Sequence, residues 1–184
     1  MDISPTIFDA AEDVLEILGS QRIEAVVIGA VALAGYSYVR QTQDLDLGVN
    51  ASTAQLHSLA EILESKGYGV QLREPDGDDP LGGVIDVSGP FGLVQIVSFA
   101  DRFPAVIDEA VKASILAVRP GSPLKIVPLP HLIALKLYAG GYKSKSDIVE
   151  VLSRNPDLDV AALRKLCRRY RLRGLEALIA EAGR

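Results

Sequence analysis

The stretch IGAVALAGYSYVRQTQDLDL, residues 28–47, joins the end of one β-branched run to the start of another. Its last four residues carry the tension. Asp44 and Asp46 are one residue apart in the apolar run DLDLGV. In a strand, residues i and i+2 project from the same face, so the two carboxylates lie side by side. Two ionised carboxylates that close repel, and one takes up a proton unless positive charge lies between them.

The plain explanation of two such acids is a solvated strand face. What precedes them argues for more. The run VVIG ends a strand, Gly29-Ala30 turns, and a small-residue helix AVALAG follows. Exposed N–H groups at a helix start favour phosphate, and Gly29 removes the side chain that would block its approach. Val31 to Gln43 separate this turn from Asp44, and within them Arg40 and Thr42 offer a cation and a hydroxyl to phosphate oxygens. A phosphate cradle followed by a paired-carboxylate strand suits Mg²⁺, which prefers carboxylate oxygens and shares its shell with water and substrate phosphates.

These residues resemble the nucleotidyltransferase superfamily that includes DNA polymerase β and the aminoglycoside nucleotidyltransferases. Its signature is an apolar residue, Gly, Gly or Ser, about ten residues, then Asp-apolar-Asp. Within it, the Arg40-x-Thr42-x-Asp44-x-Asp46 element looks most like the AbiEii and MenT type of toxin-related members. A second match lies in LPHLIALKLYAGGYKSKSDIVEVL, where Lys136, Lys143 and Asp147 take the places of a Lys-Leu-x-Ala helix, a following basic residue and an Asp opening the next helix. The resemblance runs from Ile23 to Leu178 and is sharp in these two motifs. It implies an α+β fold with a mixed-sheet core flanked by helices, residues 1–128, and a C-terminal helical segment, residues 129–184. It also implies a Mg²⁺ cofactor held by Asp44 and Asp46. The NTP would be bound by Gly29, Ala30, Arg40, Thr42, Lys136 and Lys143.

Two departures stand out. Ala30 replaces the usual Ser or Gly and offers phosphate only its backbone N–H. Members of the family also carry a third carboxylate on a later strand. GLVQIVSF fits that strand best and puts Gln95 there, with Asp86 in GGVIDVSG as the rival. A glutamine carbonyl can ligate a metal but cannot take a proton.

Composition sets the remaining bounds. At 184 residues, 48% hydrophobic and 23% charged, the chain is long enough for a substantial core and too apolar for disorder. Aromatics are 5% and Trp is absent, so that core rests on Val, Leu, Ile and Ala. The single Cys167 forms no internal disulfide, which fits a reducing, cytoplasmic setting. The start has neither a basic region nor an unbroken apolar core, and no segment offers the ~18 apolar residues of a membrane span. His57 and His131 are too far apart for zinc-site spacing.

Along the chain, a helix starts near Ser4-Pro5, with Ile7, Ala11, Val14, Leu15 and Leu18 as its apolar stripe. IEAVVIG and DLDLGV read as strands around the small-residue helix. STAQLHSLAEILESKG is a helix with Ser52 as N-cap and Gly67 at its end. YGVQLR, GGVIDVSG and GLVQIVSF are three more strands, and SILAV with LKIVP adds a short pair. From Pro130 the pattern is helical.

Residues 161–184 hold seven Lys or Arg against two Glu, while the whole chain carries −5. Arg164, Arg168 and Arg171 share one face of the helix there, opposite Leu163, Leu166 and Tyr170. Such a face is either simply solvated or an RNA-backbone contact, and the family's acceptors include transfer RNA. Three functions follow. One is NMP transfer from an NTP to a hydroxyl of RNA, a protein or a small molecule. Another is a weakened binding module partnered by a cognate antitoxin or acting as a regulator. The third is small-molecule modification alone.

Overall fold

The structure, a computed structural model, describes residues 6–77 and 79–184. Five segments rich in Val, Ile and Leu form one mixed sheet: β1 Ala25–Ile28, β2 Asp44–Val49, β3 Gly69–Arg73, β4 Gly83–Gly89 and β5 Gly92–Ser98. Their order is β1-β2-β5-β4-β3. β2 and β5 run parallel, and the other neighbouring pairs are antiparallel. β4 and β5 are joined through Pro90-Phe91, with Gly89 opposite Gly92. This tight connection fixes the register of the sheet's centre.

The two faces of the sheet differ. Leu45, Leu47, Ile85, Val87, Val94 and Ile96 point to one face and are fully buried. Helices α1, Ile7–Ser20, and α3, Thr53–Ser65, cover that face. The opposite face holds Asp44, Asp46 and Gly48 of β2. Over Gly48 lies Ile107 of α4, Pro104–Ala113; a Cβ on that glycine would sit 3.0 Å from Ile107 Cδ1. The helix thus roofs one end of this face, and Asp44 and Asp46 sit at the other. The short helix α2, Gly29–Ala34, packs on β1 and β2.

Local signals explain most boundaries. Ser52 caps α3 in a reciprocal capping box with Gln55, and Gly67, at φ +91°, follows its end. α1 is capped the same way by Thr6 with Asp9. The expected start at Ser4-Pro5 lies outside the described residues. Residues 115–127 supply the short pair: Ala117 bridges Lys125, and Val27 of β1 exchanges backbone hydrogen bonds with Lys125 and Val127, covering the sheet edge.

The sequence reading assigns no element to α4. Its signals are Pro104 in the first turn and buried Val106, Ile107 and Ala110. The C-terminal helices are α5 Leu129–Ala139, α6 Gly141–Arg154, α7 Val160–Arg169 and α8 Leu175–Glu181. α5 packs on α4, α6 and α7, and α8 packs on α6. No helix of the described residues is long and apolar enough to cross a membrane.

Candidate active site

β2 delivers Asp44 and Asp46, both half-buried, to one wall of a cleft of about 630 Å³. Arg40, Thr42, Gln95 and Lys143 also line it. Gln41 and Gln43, which sequence reasoning did not select, line it as well. Their alternation with Arg40 and Thr42 just before β2 was the available signal.

Thr42 is already engaged. Its hydroxyl donates to Asp44 Oδ1, so it holds a carboxylate rather than standing free for a phosphate. Gly29 also serves the carboxylates. Its φ is +68°, and a Cβ there would lie 1.7 Å from Asp46 Oδ2. The room attributed to a phosphate's approach is occupied by the Asp46 side chain. Ala30 is buried, and neither residue lines the cleft.

Burial and the neighbouring Asp44 charge push the Asp46 carboxyl up to about 6, against the pull of Lys136, Arg40 and Lys143. The Asp46 carboxylate has no hydrogen-bond partner among the described residues. The cationic side of the site is organised by Asp147, which is 3% exposed. Asp147 does not open its helix; it sits inside α6, where Oδ2 accepts from Lys136 Nζ at 2.7 Å and Oδ1 lies 3.6 Å from Arg40 Nε. Burial pulls the Lys136 ammonium below its usual range, and Asp147 opposes this. Lys136 therefore stands behind the cleft wall, tied to Asp147, and acts on Asp46 through its charge.

Gln95 is the Cα partner of Asp46 across β2 and β5, and Asp86 is the partner of Gln95 across β5 and β4. Gln95 Nε2 donates to Asp86 Oδ1 at 2.6 Å, and Arg73 Nη2 donates to the same oxygen at 2.9 Å. Asp86 does not line the cleft. Arg73, missed in the sequence, is recognisable only through this cross-strand pairing.

No protein-family model and no curated protein matches the sequence. Solved structures do. The solution structure of the antibiotic-resistance factor ANT(2'')-Ia aligns with a TM-score of 0.55 at 17% identity, over 89% of this chain and 90% of that one. The crystal structure of an antigenic nucleotidyltransferase-like protein from Paracoccidioides brasiliensis aligns with a TM-score of 0.53 at 16% identity, over 97% and 94% of the two chains. The chain has the nucleotidyltransferase fold.

At these identities the likeness concerns architecture, and chemistry must come from the side chains. The donors at the open end of the sheet are two carboxylates and one neutral amide. Among the described residues, no group of three or more His, Cys, Asp or Glu side chains is placed to hold a metal ion. Hard oxygen donors at a cleft rimmed by Arg40 and Lys143 fit a hydrated Mg²⁺ that shares phosphate ligands.

The basic helix α7 keeps Leu163 buried and Leu166 and Tyr170 half-buried, as its pattern implies. Arg164 pairs with Glu176 at 2.8 Å and Arg169 with Glu109 at 2.5 Å. The helix ends at Arg169, so Arg171, at φ +56°, lies in the turn beyond it and does not continue the expected arginine face. Lys165 and Arg168 of α7, and Arg171 and Arg173 after it, are exposed and make no ion pair within the described residues.

Proposed function

We propose that this protein is a Mg²⁺-dependent nucleotidyltransferase that moves an NMP from an NTP to an acceptor hydroxyl and releases pyrophosphate. One observation carries the reading. Asp44 and Asp46 stand side by side at the cleft, Asp46 is held protonation-prone by burial and by Asp44, and no basic side chain bonds either of them. Such a pair favours a divalent cation from solution. When bound, Mg²⁺ would neutralise the phosphates and the charge developing during displacement. Asp44 and Asp46 would hold it, with Thr42 fixing the Asp44 carboxylate. Arg40 and Lys143 would meet the phosphates. The acceptor oxygen bonds to the α-phosphorus as the bond to the bridging oxygen of pyrophosphate breaks, and the hydroxyl proton passes to water.

Proximity of Arg40, Lys136 and Asp147 in space supports the finer placement beside the AbiEii and MenT type, because these residues come from the two separate motifs. The unpaired cations on α7 and in the turn after it support RNA as acceptor over a small molecule.

A second reading is a nucleotide-binding module with weak turnover, and Gln95 favours it. General-base help is worth ~10²–10⁴-fold, and an amide beside Asp46 supplies none. Titration calorimetry with each of the four NTPs tests the common ground. Binding is expected with Mg²⁺ present and lost in Asp44→Ala. Absence of binding to all four, with the metal present, removes both readings.

A further inference from the structure

Resting on the nucleotide-binding reading, we propose that Asp86 is a positioning residue. Its carboxylate fixes the Gln95 amide so that the amide oxygen, in place of a third carboxylate, serves the cation held by Asp44 and Asp46.

The register makes this a linear relay. Asp46, Gln95 and Asp86 are successive cross-strand partners on β2, β5 and β4, so their side chains share one face at strand spacings of ~4.8 Å. An ionised carboxylate only accepts hydrogen bonds, so the Gln95 atom 2.6 Å from Asp86 must be the nitrogen. The carbonyl oxygen is then the free end of the amide, turned from β4. Gln95 lines the cleft with Asp44 and Asp46, whereas Asp86 does not. Arg73, from the edge strand, donates to the same Asp86 oxygen and holds that carboxylate in place.

The chemistry differs from that of a three-carboxylate site. Amide carbonyls ligate hard cations, and this one adds no third negative charge beside Asp44 and Asp46. It also depends on being oriented. Released from Asp86, the amide can turn its NH₂ toward the cation, which is repulsive. Partners that orient metal ligands typically contribute 10–100-fold in affinity.

Mn²⁺ binding, followed by electron paramagnetic resonance in the presence of a non-hydrolysable NTP analogue, reads this directly without turnover. Asp86→Ala is expected to weaken Mn²⁺ about tenfold, and Asp86→Asn, whose carbonyl can still accept from Gln95, to recover most of that loss. Gln95→Leu should weaken binding equally, and adding Asp86→Ala to it should cost nothing further. A full additional loss in the double variant would mean that Asp86 acts independently of Gln95 and would overturn the proposal. Unchanged Mn²⁺ affinity in Asp86→Ala would overturn it too, while the loss in Asp44→Ala would keep the underlying reading intact. A wild type that binds no Mn²⁺ with the analogue would retire both. If Asp86→Ala does not fold, as judged by circular dichroism, Gln95→Leu against Gln95→Leu/Asp86→Asn carries the same comparison, and any loss between those two overturns the proposal.

Discussion

Two carboxylates of this protein sit within the reach of the same cations and have opposite fates. Asp147 is buried and satisfied: Lys136 donates to it at 2.7 Å and Arg40 lies beside it. Asp46 is half-buried next to Asp44, feels Lys136 and Arg40 only at a distance, and is pushed up to about 6. The first charge is neutralised inside the chain and holds α5, α6 and the segment before β2 together. The second is left short of positive charge at a cleft. A charge settled internally is architecture, whereas one left unsettled invites a ligand.

The same substitution at both positions should therefore have opposite signs. Asp147→Ala leaves Lys136 buried without its counter-ion and Arg40 without its neighbour. Breaking a buried pair this way costs about 3–5 kcal/mol, measurable by urea unfolding at neutral pH. Asp147→Asn should lose a large part of the same amount. Replacing both partners, as in Lys136→Met/Asp147→Leu, should recover much of the loss, since no ammonium is then stranded. A cost of under about 1 kcal/mol for Asp147→Ala, the range of exposed pairs, would break the comparison.

Asp46→Asn should stabilise. Its folded carboxyl lies at about 6 against an ordinary value of 3.8, so the folded state holds the proton more tightly than the unfolded one. The favourable contribution of Asp46 is complete below about pH 4 and is lost as pH rises through 6. Relative to that protonated state, the ionised group costs on the order of 3 kcal/mol at pH 7. Asp46→Asn should regain about 1–2 kcal/mol there, raising Tm by roughly 2–8 °C, with the gain shrinking toward pH 4. Unfolding curves at pH 4 and pH 7 check both the sign and the window. A pH-independent effect would remove the electrostatic account.

Much of this is legible in the amino-acid sequence. The i, i+2 rule puts Asp44 and Asp46 on one face, and local chemistry alone places the capping residue Ser52 and the two strands GGVIDVSG and GLVQIVSF. The cross-strand row was legible in principle, because the tight Pro90-Phe91 connection sets Asp86 opposite Gln95. Other features needed tertiary contact. The family resemblance makes Asp147 a helix opener, and only the packing of α5 on α6 brings it to Lys136. Helix α4 follows β5 closely, and its apolar pattern of Val106, Ile107 and Ala110 is too short to mark a helix by periodicity alone. Gly29 was recognised as a place where a side chain could not be tolerated, but the group filling that space could not be known from sequence.

That glycine supplies the smallest and most local test of the comparison. Asp46 can sit unneutralised against the backbone only because residue 29 has no Cβ. Gly29→Ala carries two separable costs. One is the left-handed backbone at φ +68°, roughly 1 kcal/mol for a non-glycine residue. The other is displacement of the Asp46 carboxylate, whose Oδ2 would lie 1.7 Å from the new methyl. The first cost should persist in an Asp46→Ala background and the second should vanish, so Gly29→Ala should be less destabilising there by about 1 kcal/mol or more. In the wild-type background the displaced carboxylate should also lose its pairing with Asp44, weakening Mg²⁺-dependent nucleotide binding in calorimetry. Equal destabilisation in both backgrounds would mean that Asp46 does not press on this glycine, and the close seat that distinguishes it from Asp147 would have to be abandoned.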